Sequence, residues 1–182
     1  MVIRSLDGLQ PAIDASAYVD ESAQVIGDVV LGRDSSVWPH VVIRGDIHKI
    51  RVGDRTNIQD GSVLHVTHDS EYQPGGYRLQ IGSRVTVGHG VILHGCQVED
   101  LCLIGMGSTV MDGAIVESGV MLGAGSLVTP GKVLTSGYLW MGIPAKQVRE
   151  LTEKELEYIE YVSNHYVKLK NRYTSEHNQA LK

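Results

Sequence analysis

The stretch Val87-Gly88-His89-Gly90-Val91-Ile92-Leu93-His94-Gly95 carries two histidines inside a six-residue repeat. Aliphatic residues occupy every sixth position here, and Leu64-His65 brings a third histidine into the same pattern upstream. The repeat predicts the fold, and the counting of its units predicts which histidines can meet.

The repeat continues in both directions through most of the 182-residue chain. Two insertions, the longer at residues 69–80, and one five-residue step interrupt it. A six-residue period fits neither a helix nor the alternation of a strand. It fits a solenoid in which three short strands with turns close one triangular coil, so we predict an all-β solenoid with an aliphatic core. The repeat positions are Ile13, Val19, Val25, Leu31, Val37, Ile43, Val52, Ile58, Leu64, Ile81, Val87, Leu93, Val98, Ile104, Val110, Val116, Leu122, Val128 and Leu134.

We expect three regions: an N-terminal arm at 1–12, the solenoid at 13–145, and a C-terminal helix and tail at 146–182. Thr152-Glu153-Lys154-Glu155 has the pattern of a capping box and predicts the start of the helix. One apolar stripe at helical spacing predicts the face that packs on the solenoid or on a neighbouring subunit. Its members are Leu156, Ile159, Val162, Tyr166, Leu169 and Tyr173.

Composition limits the partners. The net charge of −5 argues against nucleic acid or an anionic membrane as the main partner. No apolar run approaches the length of a membrane span, and the N-terminus lacks the pattern of a signal peptide. Cys96 and Cys102 lie inside repeat units and are predicted to be reduced structural thiols. We therefore expect a cytoplasmic protein with no nucleic-acid or membrane partner.

The unit count places two histidines in one column. If each insertion is a loop that adds no unit, every third repeat returns to the same face of the prism, and we name the face that carries Ile43, Leu64 and Leu93 face a. His65 and His94 each directly follow the aliphatic residue of a face-a unit, so they stack on successive coils about 4.8 Å apart. Arg44 occupies the same place one coil earlier. Face a is thus predicted to carry a column of Arg44, His65 and His94.

His89 falls on a different face, named face c, because it is two places after Val87. One prism cannot easily bring this side chain to the pair on face a. Packing of prisms around a three-fold axis would do so and would create three equivalent sites. Three imidazoles with room for water are the ligand set of a catalytic zinc ion. A solvated or hydrogen-bonded role is the alternative for any single histidine, and it is the interpretation we prefer for His40, His48, His165 and His177.

Four motifs together closely resemble the γ-class carbonic anhydrase family and its bacterial carbonic anhydrase-like branch: Arg44-Gly45-Asp46, Asn57-Ile58-Gln59-Asp60-Gly61, His65 and His89-x4-His94. The resemblance covers the chain from about residue 10 to the C-terminal helix. It implies a left-handed parallel β-helix that forms a homotrimer. It also implies a Zn²⁺ ion, or Fe²⁺ or Co²⁺, bound by His65 and His94 of one subunit and His89 of the next. The implied reaction is hydration of carbon dioxide to bicarbonate by metal-bound hydroxide.

The resemblance also implies roles for the neighbouring residues. Gln59 matches a glutamine that hydrogen-bonds the metal-bound solvent, and Asn57 matches its companion. Arg44 and Asp46 match a pair near the subunit interface, where a direct role and a structural ion pair are equally good interpretations. We interpret Asp60 as structural, holding a turn or a neighbour's Arg44.

The chain departs from the family at the proton-shuttle positions. The family prototype has acidic residues three places after the first zinc histidine and directly after the Arg-Gly-Asp triplet, where this chain has His68 and Ile47. Histidine titrates near neutral pH, so His68 is a candidate shuttle, with an inert loop residue as the alternative. Without an efficient shuttle, regeneration of the hydroxide would limit turnover.

Two other functions share the fold. A hexapeptide acyltransferase using coenzyme A would need one histidine as general base rather than three around a metal. A metal-holding binding protein, scaffold or siderophore-related protein would keep the histidines without hydratase activity.

Overall fold

The computed structural model describes residues 2–180, with side chains for residues 3–176, as a β-solenoid followed by one helix. The helix α1 spans Glu153–Ala180. Within the described residues, no helix has the length and hydrophobicity needed to cross a membrane. The strands are β1 Val2–Arg4, β2 Ala12–Ile13, β3 Tyr18–Val19, β4 Gln24–Leu31, β5 Ser36–Val37, β6 Val42–Val52, β7 Asn57–Ile58, β8 Val63–His65, β9 Leu79–Ile81, β10 Thr86–Val87, β11 Ile92–His94, β12 Gln97–Val98, β13 Leu103–Ile104, β14 Thr109–Val110, β15 Ile115–Val116, β16 Met121–Leu122, β17 Leu127–Val128, β18 Val133–Leu134, β19 Tyr138–Gly142 and β20 Ala145–Glu150.

The solenoid has about eight turns and is the left-handed β-helix of hexapeptide repeats. Strands stack in parallel with their immediate counterparts on the next coil, so the predicted face count is confirmed. On face a, Leu64 lies beside Leu93, and on face c, Ile58 lies beside Val87. The third face, b, is carried by β6, β9, β12, β15 and β18.

The repeat positions form the core, as predicted. All of them from Val25 to Leu134 are buried, while Ile13 and Val19 at the open end are half-buried against the same core. Burial of such branched side chains contributes about 1.5–3 kcal/mol each, and this sets the face to which the intervening residues point.

The first insertion is not a loop. Strand β6 runs without interruption from face a to face b through the inserted residues and pairs with β4 on one side. Gly27 and Gly45 make this possible, because a Cβ on Gly27 would overlap the carbonyl group of Gly45. The six-residue count cannot reveal that close approach. The domain boundaries at residues 12 and 145 remain a prediction, although residues 2–4 and 145–150 also form strands.

The helix begins where its sequence predicts. Glu155 N donates to Thr152 Oγ1 and Thr152 N donates to a Glu155 carboxylate oxygen, which is the reciprocal pattern of a capping box. Hydrogen bonds from Arg149 and Thr152 lower the pKa of Glu155 to about 2, so the cap stays charged at physiological pH. The start of the helix is therefore held firmly at the end of the solenoid.

The helix packs along one edge of the solenoid. Its pitch of about 5.4 Å is close to the coil spacing of about 4.8 Å, so successive turns meet successive coils. Ser163 Oγ donates to the carbonyl of Arg55, and the buried Lys170 ammonium group contacts Asp34 and the carbonyl of Ser16. In the predicted stripe, Ile159 is buried, while Leu156 and Tyr173 are partly exposed at the ends.

Trp38 joins the helix to the first coils. The indole ring is buried and contacts Tyr18, Tyr166 and Tyr173 at centroid distances of 5.1–5.5 Å. We expect Trp38→Ala to lower the free energy of unfolding by about 3–5 kcal/mol, because it leaves a cavity between helix and solenoid. Urea denaturation measures the change. Tyr72→Ala is the control, since Tyr72 is 88% exposed and its loss should cost under about 0.5 kcal/mol.

Candidate metal centre

The column predicted on face a is present. His65 and His94 are paired in register on neighbouring strands, and His65 Nδ1 lies 3.1 Å from His94 Nε2. The register follows from burial of Leu64 and Leu93, the residues that precede them. The two rings thus face each other on the surface of one prism and form one half of a candidate metal site.

Asp46 orients the first of these rings. His65 Nε2 lies 3.0 Å from Asp46 Oδ1, and Arg44 forms an ion pair with the other oxygen of the same carboxylate. Burial lowers the pKa of His65, opposed only in part by the hydrogen bond to Asp46. Burial alone would raise the pKa of Asp46, but its hydrogen bonds with Arg44 and His65 outweigh this and lower it. The arrangement favours a neutral imidazole beside a charged carboxylate, which is the form a metal needs.

Asp112 holds the second ring and was missed by sequence reasoning. Its Oδ1 lies 2.6 Å from His94 Nδ1, and its Oδ2 accepts a hydrogen bond from Thr67. Asp112 is two places after Val110, the face-a residue of the next coil, so the unit count could have placed it beside His94. Each histidine on face a therefore has a carboxylate partner on the side away from the pair.

The second half of the candidate site lies on face c. His89 is about half exposed, and its Nδ1 lies 2.9 Å from Asp60 Oδ2. Asp60 and His89 occupy the same place in successive face-c units, so the structure gives Asp60 a contact with His89 rather than with a turn alone. The carboxylate fixes the orientation of this third ring.

A chain of amides runs beside His89. Gln59 Nε2 donates to Asn57 Oδ1 at 3.0 Å, and Asn57 Nδ2 donates to Thr86 Oγ1 at 2.9 Å. Both amides are buried, and Gln59 lines a groove together with His89 and Tyr166 from the helix. One N–H of Gln59 is used on Asn57, and the Gln59 carbonyl oxygen can accept a hydrogen bond from a donor in the groove.

The two halves do not meet within one chain. Among the described residues, no three His, Cys, Asp or Glu side chains are grouped so that they could hold a metal ion. Half-exposed apolar side chains flank the pair on face a, and others lie near His89 on face c. They are Val63, Ile92 and Met111 on the first face, and Met106 and Tyr158 on the second face and the adjoining helix.

The other polar side chains considered are His68, Asn164 and the two cysteines. His68 is exposed at the start of the long insertion, without a hydrogen bond to either half of the site within the described residues. Asn164 accepts a hydrogen bond from Arg55 and so holds the helix on the solenoid. Cys96 and Cys102 are buried free thiols, and burial raises the pKa of each to about 12. They are therefore poor nucleophiles and poor metal ligands.

The coil architecture and its register define a hexapeptide-repeat protein. A solved structure described as a hexapeptide transferase family protein from Anaplasma phagocytophilum superposes with a TM-score of 0.87. It is 42% identical and covers 94% of this chain and 98% of its own. No family model matches the chain.

Curated relatives specify the family further. Protein YrdA of Escherichia coli is 53% identical over 98% of this chain and 97% of its own length. A carbonic anhydrase of Geobacillus kaustophilus is 48% identical over 88% of this chain and 84% of its own length. Gamma carbonic anhydrase 1 of Arabidopsis thaliana mitochondria is 43% identical over 94% of this chain, which spans 62% of that protein. The chain belongs to the gamma carbonic anhydrase family.

Proposed function

We propose that this protein is a carbonic anhydrase that interconverts carbon dioxide and bicarbonate at three equivalent sites between the subunits of a homotrimer. The observation that carries the proposal is the division of the site. His65 and His94 form a close pair on face a, while His89 lies on face c beside Gln59. The pair on face a needs a third ligand, and His89 on face c needs two more. Relatives named carbonic anhydrases support carbon dioxide as the substrate.

The histidine pair fits a metal ion. Zinc–nitrogen bonds of about 2.0–2.1 Å at tetrahedral angles put two ligand nitrogens about 3.3 Å apart, close to the observed 3.1 Å. His89 of a second subunit would supply the third ligand, and we propose Zn²⁺, with Fe²⁺ or Co²⁺ as alternatives. When bound, such an ion supplies a Lewis acid that brings the pKa of water from about 15.7 towards about 7.

The protein side chains would then orient the reactants. The Gln59 carbonyl, held by the Gln59–Asn57–Thr86 chain, accepts a hydrogen bond from water without competing as a charged ligand. The Asp46 carboxylate contacts both Arg44 and His65. We therefore propose that Arg44 and Asp46 orient the His65 ring and fix the subunit interface near it. The half-exposed apolar residues around both halves would exclude bulk water once the faces pack together.

His68 is proposed as a proton carrier between the site and buffer, because it is exposed and because imidazole is the side-chain type that commonly moves protons in enzymes. We expect His68→Ala to slow carbon dioxide hydration several-fold in dilute buffer while metal content stays unchanged. Stopped-flow rates measured across a series of imidazole concentrations test this. Concentrated imidazole should restore the rate, whereas equal rates for both proteins at every concentration would rule out the shuttle.

A hexapeptide acyltransferase is the second candidate, because the solved structure that superposes well is described as a transferase family protein. It would bind acetyl-coenzyme A and would not need a metal.

We also propose a cytoplasmic location and no nucleic-acid or membrane partner, supported by the two buried free thiols and the net negative charge. Carbon dioxide and bicarbonate are the small-molecule ligands that we propose, as the relatives named carbonic anhydrases support.

The deciding experiment is stopped-flow carbon dioxide hydration on protein of known metal content, loaded with Zn²⁺ and, under anaerobic conditions, with Fe²⁺. Activity that rises with metal occupancy supports the carbonic anhydrase. A full metal site without hydration would contradict it and favour a metal-holding binding or scaffold role. Protein that takes up no metal but binds acetyl-coenzyme A would favour the acyltransferase.

A further inference from the structure

The long insertion folds back on itself next to the histidine pair. Thr67 and Tyr77 exchange backbone hydrogen bonds of 3.0 and 2.9 Å, closing residues 67–77 into a compact loop that we name the clip. The clip leaves the solenoid two residues after His65 and returns before β9. Its base therefore lies against the coil that carries the candidate metal ligands.

A side-chain hydrogen bond connects the clip to the candidate site. Thr67 Oγ1 donates to Asp112 Oδ2 at 2.8 Å, and Asp112 Oδ1 lies 2.6 Å from His94 Nδ1. Because His94 Nδ1–H donates to this carboxylate, the ring is left with a lone pair on Nε2. That lone pair faces His65 Nδ1, which is the side on which the pair could bind a metal.

Two glycines leave room for this arrangement. Gly95 and Gly113 both have positive φ angles, 52° and 68°. A Cβ on Gly95 would overlap the Asp112 carboxylate and would lie 2.6 Å from Tyr77 Cβ. A Cβ on Gly113 would lie 2.9 Å from the Tyr77 ring. The carboxylate and the clip thus occupy space that any larger residue directly after His94 would fill.

We infer that Asp112, held by Thr67 of the clip, is a positioning residue that fixes the tautomer and ring orientation of His94 for metal binding. The inference rests on the proposed metal site. Hydrogen bonding of the non-ligating nitrogen to a carboxylate raises the basicity of the ligating nitrogen and sets its direction. The Thr67 hydroxyl in turn keeps the Asp112 carboxylate from rotating away. The clip, which the repeat count treats as an interruption, therefore supports the site.

The test measures the Zn²⁺ affinity of the whole chain. Its metal is first removed with a chelator, and Zn²⁺ binding is then measured by competition with a chromophoric chelator. Asp112→Asn should weaken binding about 10- to 100-fold, because the amide keeps the shape but loses the charge. Thr67→Val should weaken it about fivefold, and Thr67→Ser, which keeps the hydroxyl, should bind like the wild type. Asp100→Asn is the matched control, since Asp100 accepts a backbone N–H from Ser83 at another corner.

A merely structural role is distinguished by two further measurements. The absorption spectrum of the Co²⁺-loaded protein should change for Asp112→Asn and Thr67→Val but not for Thr67→Ser or Asp100→Asn, since the spectrum reports ligand geometry. Thermal unfolding of the metal-free proteins identifies any variant that has lost its fold. If Asp112→Asn is such a variant, the comparison of Zn²⁺ affinity between Thr67→Val and Thr67→Ser tests the inference. Wild-type affinity in Asp112→Asn, or equal affinities in Thr67→Val and Thr67→Ser, would overturn this inference and leave the proposed metal site standing. A wild-type protein that binds no metal would overturn the proposed site and this inference with it.

Discussion

A one-to-one mixture of His65→Ala and His89→Ala subunits is expected to bind metal at about one quarter of its sites, although neither variant alone binds metal tightly. The physical reason is that each proposed site takes its pair of histidines from face a of one subunit and His89 from face c of the next. A site is intact only when the first subunit keeps His65 and the second keeps His89. Random assembly satisfies both conditions about once in four sites.

The experiment requires exchange of subunits and a count of bound metal. The two variants are unfolded together, refolded as a mixture, loaded with Zn²⁺ and analysed for metal content and carbon dioxide hydration. A mixture of His65→Ala with His94→Ala is the matched control, because both changes remove ligands from the same half of the site. That mixture can build no intact site. Equal metal content in both mixtures would contradict a site shared between subunits.

The sequence alone predicts the part of the candidate site that depends on the count of repeat units. Burial of the aliphatic repeat fixes which residues point outward, so the pairing of His65 with His94 and the separation of His89 could be predicted and are confirmed by the strand register. The same period predicted the core, because a shift by one residue would point the aliphatic side chains of the core towards solvent.

Sequence reasoning did not find the interactions that depend on side-chain reach and on irregular backbone. Asp112 belongs to the coil after His94, and its carboxylate occupies space that a Cβ at position 95 would fill. The continuous path of β6 likewise depends on contact between two glycines on different coils. The unit count could have placed Asp112 near His94, but neither the hydrogen bond between them nor the close approach of the two glycines can be read from a repeat pattern.

Ile92→Lys is expected to convert the proposed trimer into monomers and to remove the metal site. Ile92 is 42% exposed on face a, directly before Leu93 and two places from His94. If this face packs against face c of another subunit, the new ammonium group must leave water at the interface, which costs several kcal/mol without a partner. Lysine is chosen because an acidic residue here could itself bind metal.

Val133→Lys is the matched control for this change. Val133 is 40% exposed and holds the equivalent place, directly before the buried Leu134, but on face b. Sedimentation equilibrium over a range of concentrations, with metal analysis of each fraction, compares the two variants. The proposal requires Ile92→Lys to dissociate and lose metal while Val133→Lys keeps the subunit count and metal content of the wild type. Dissociation of Val133→Lys alone would place the interface on face b, and because face b carries none of the three histidines, the shared site would then have to be abandoned.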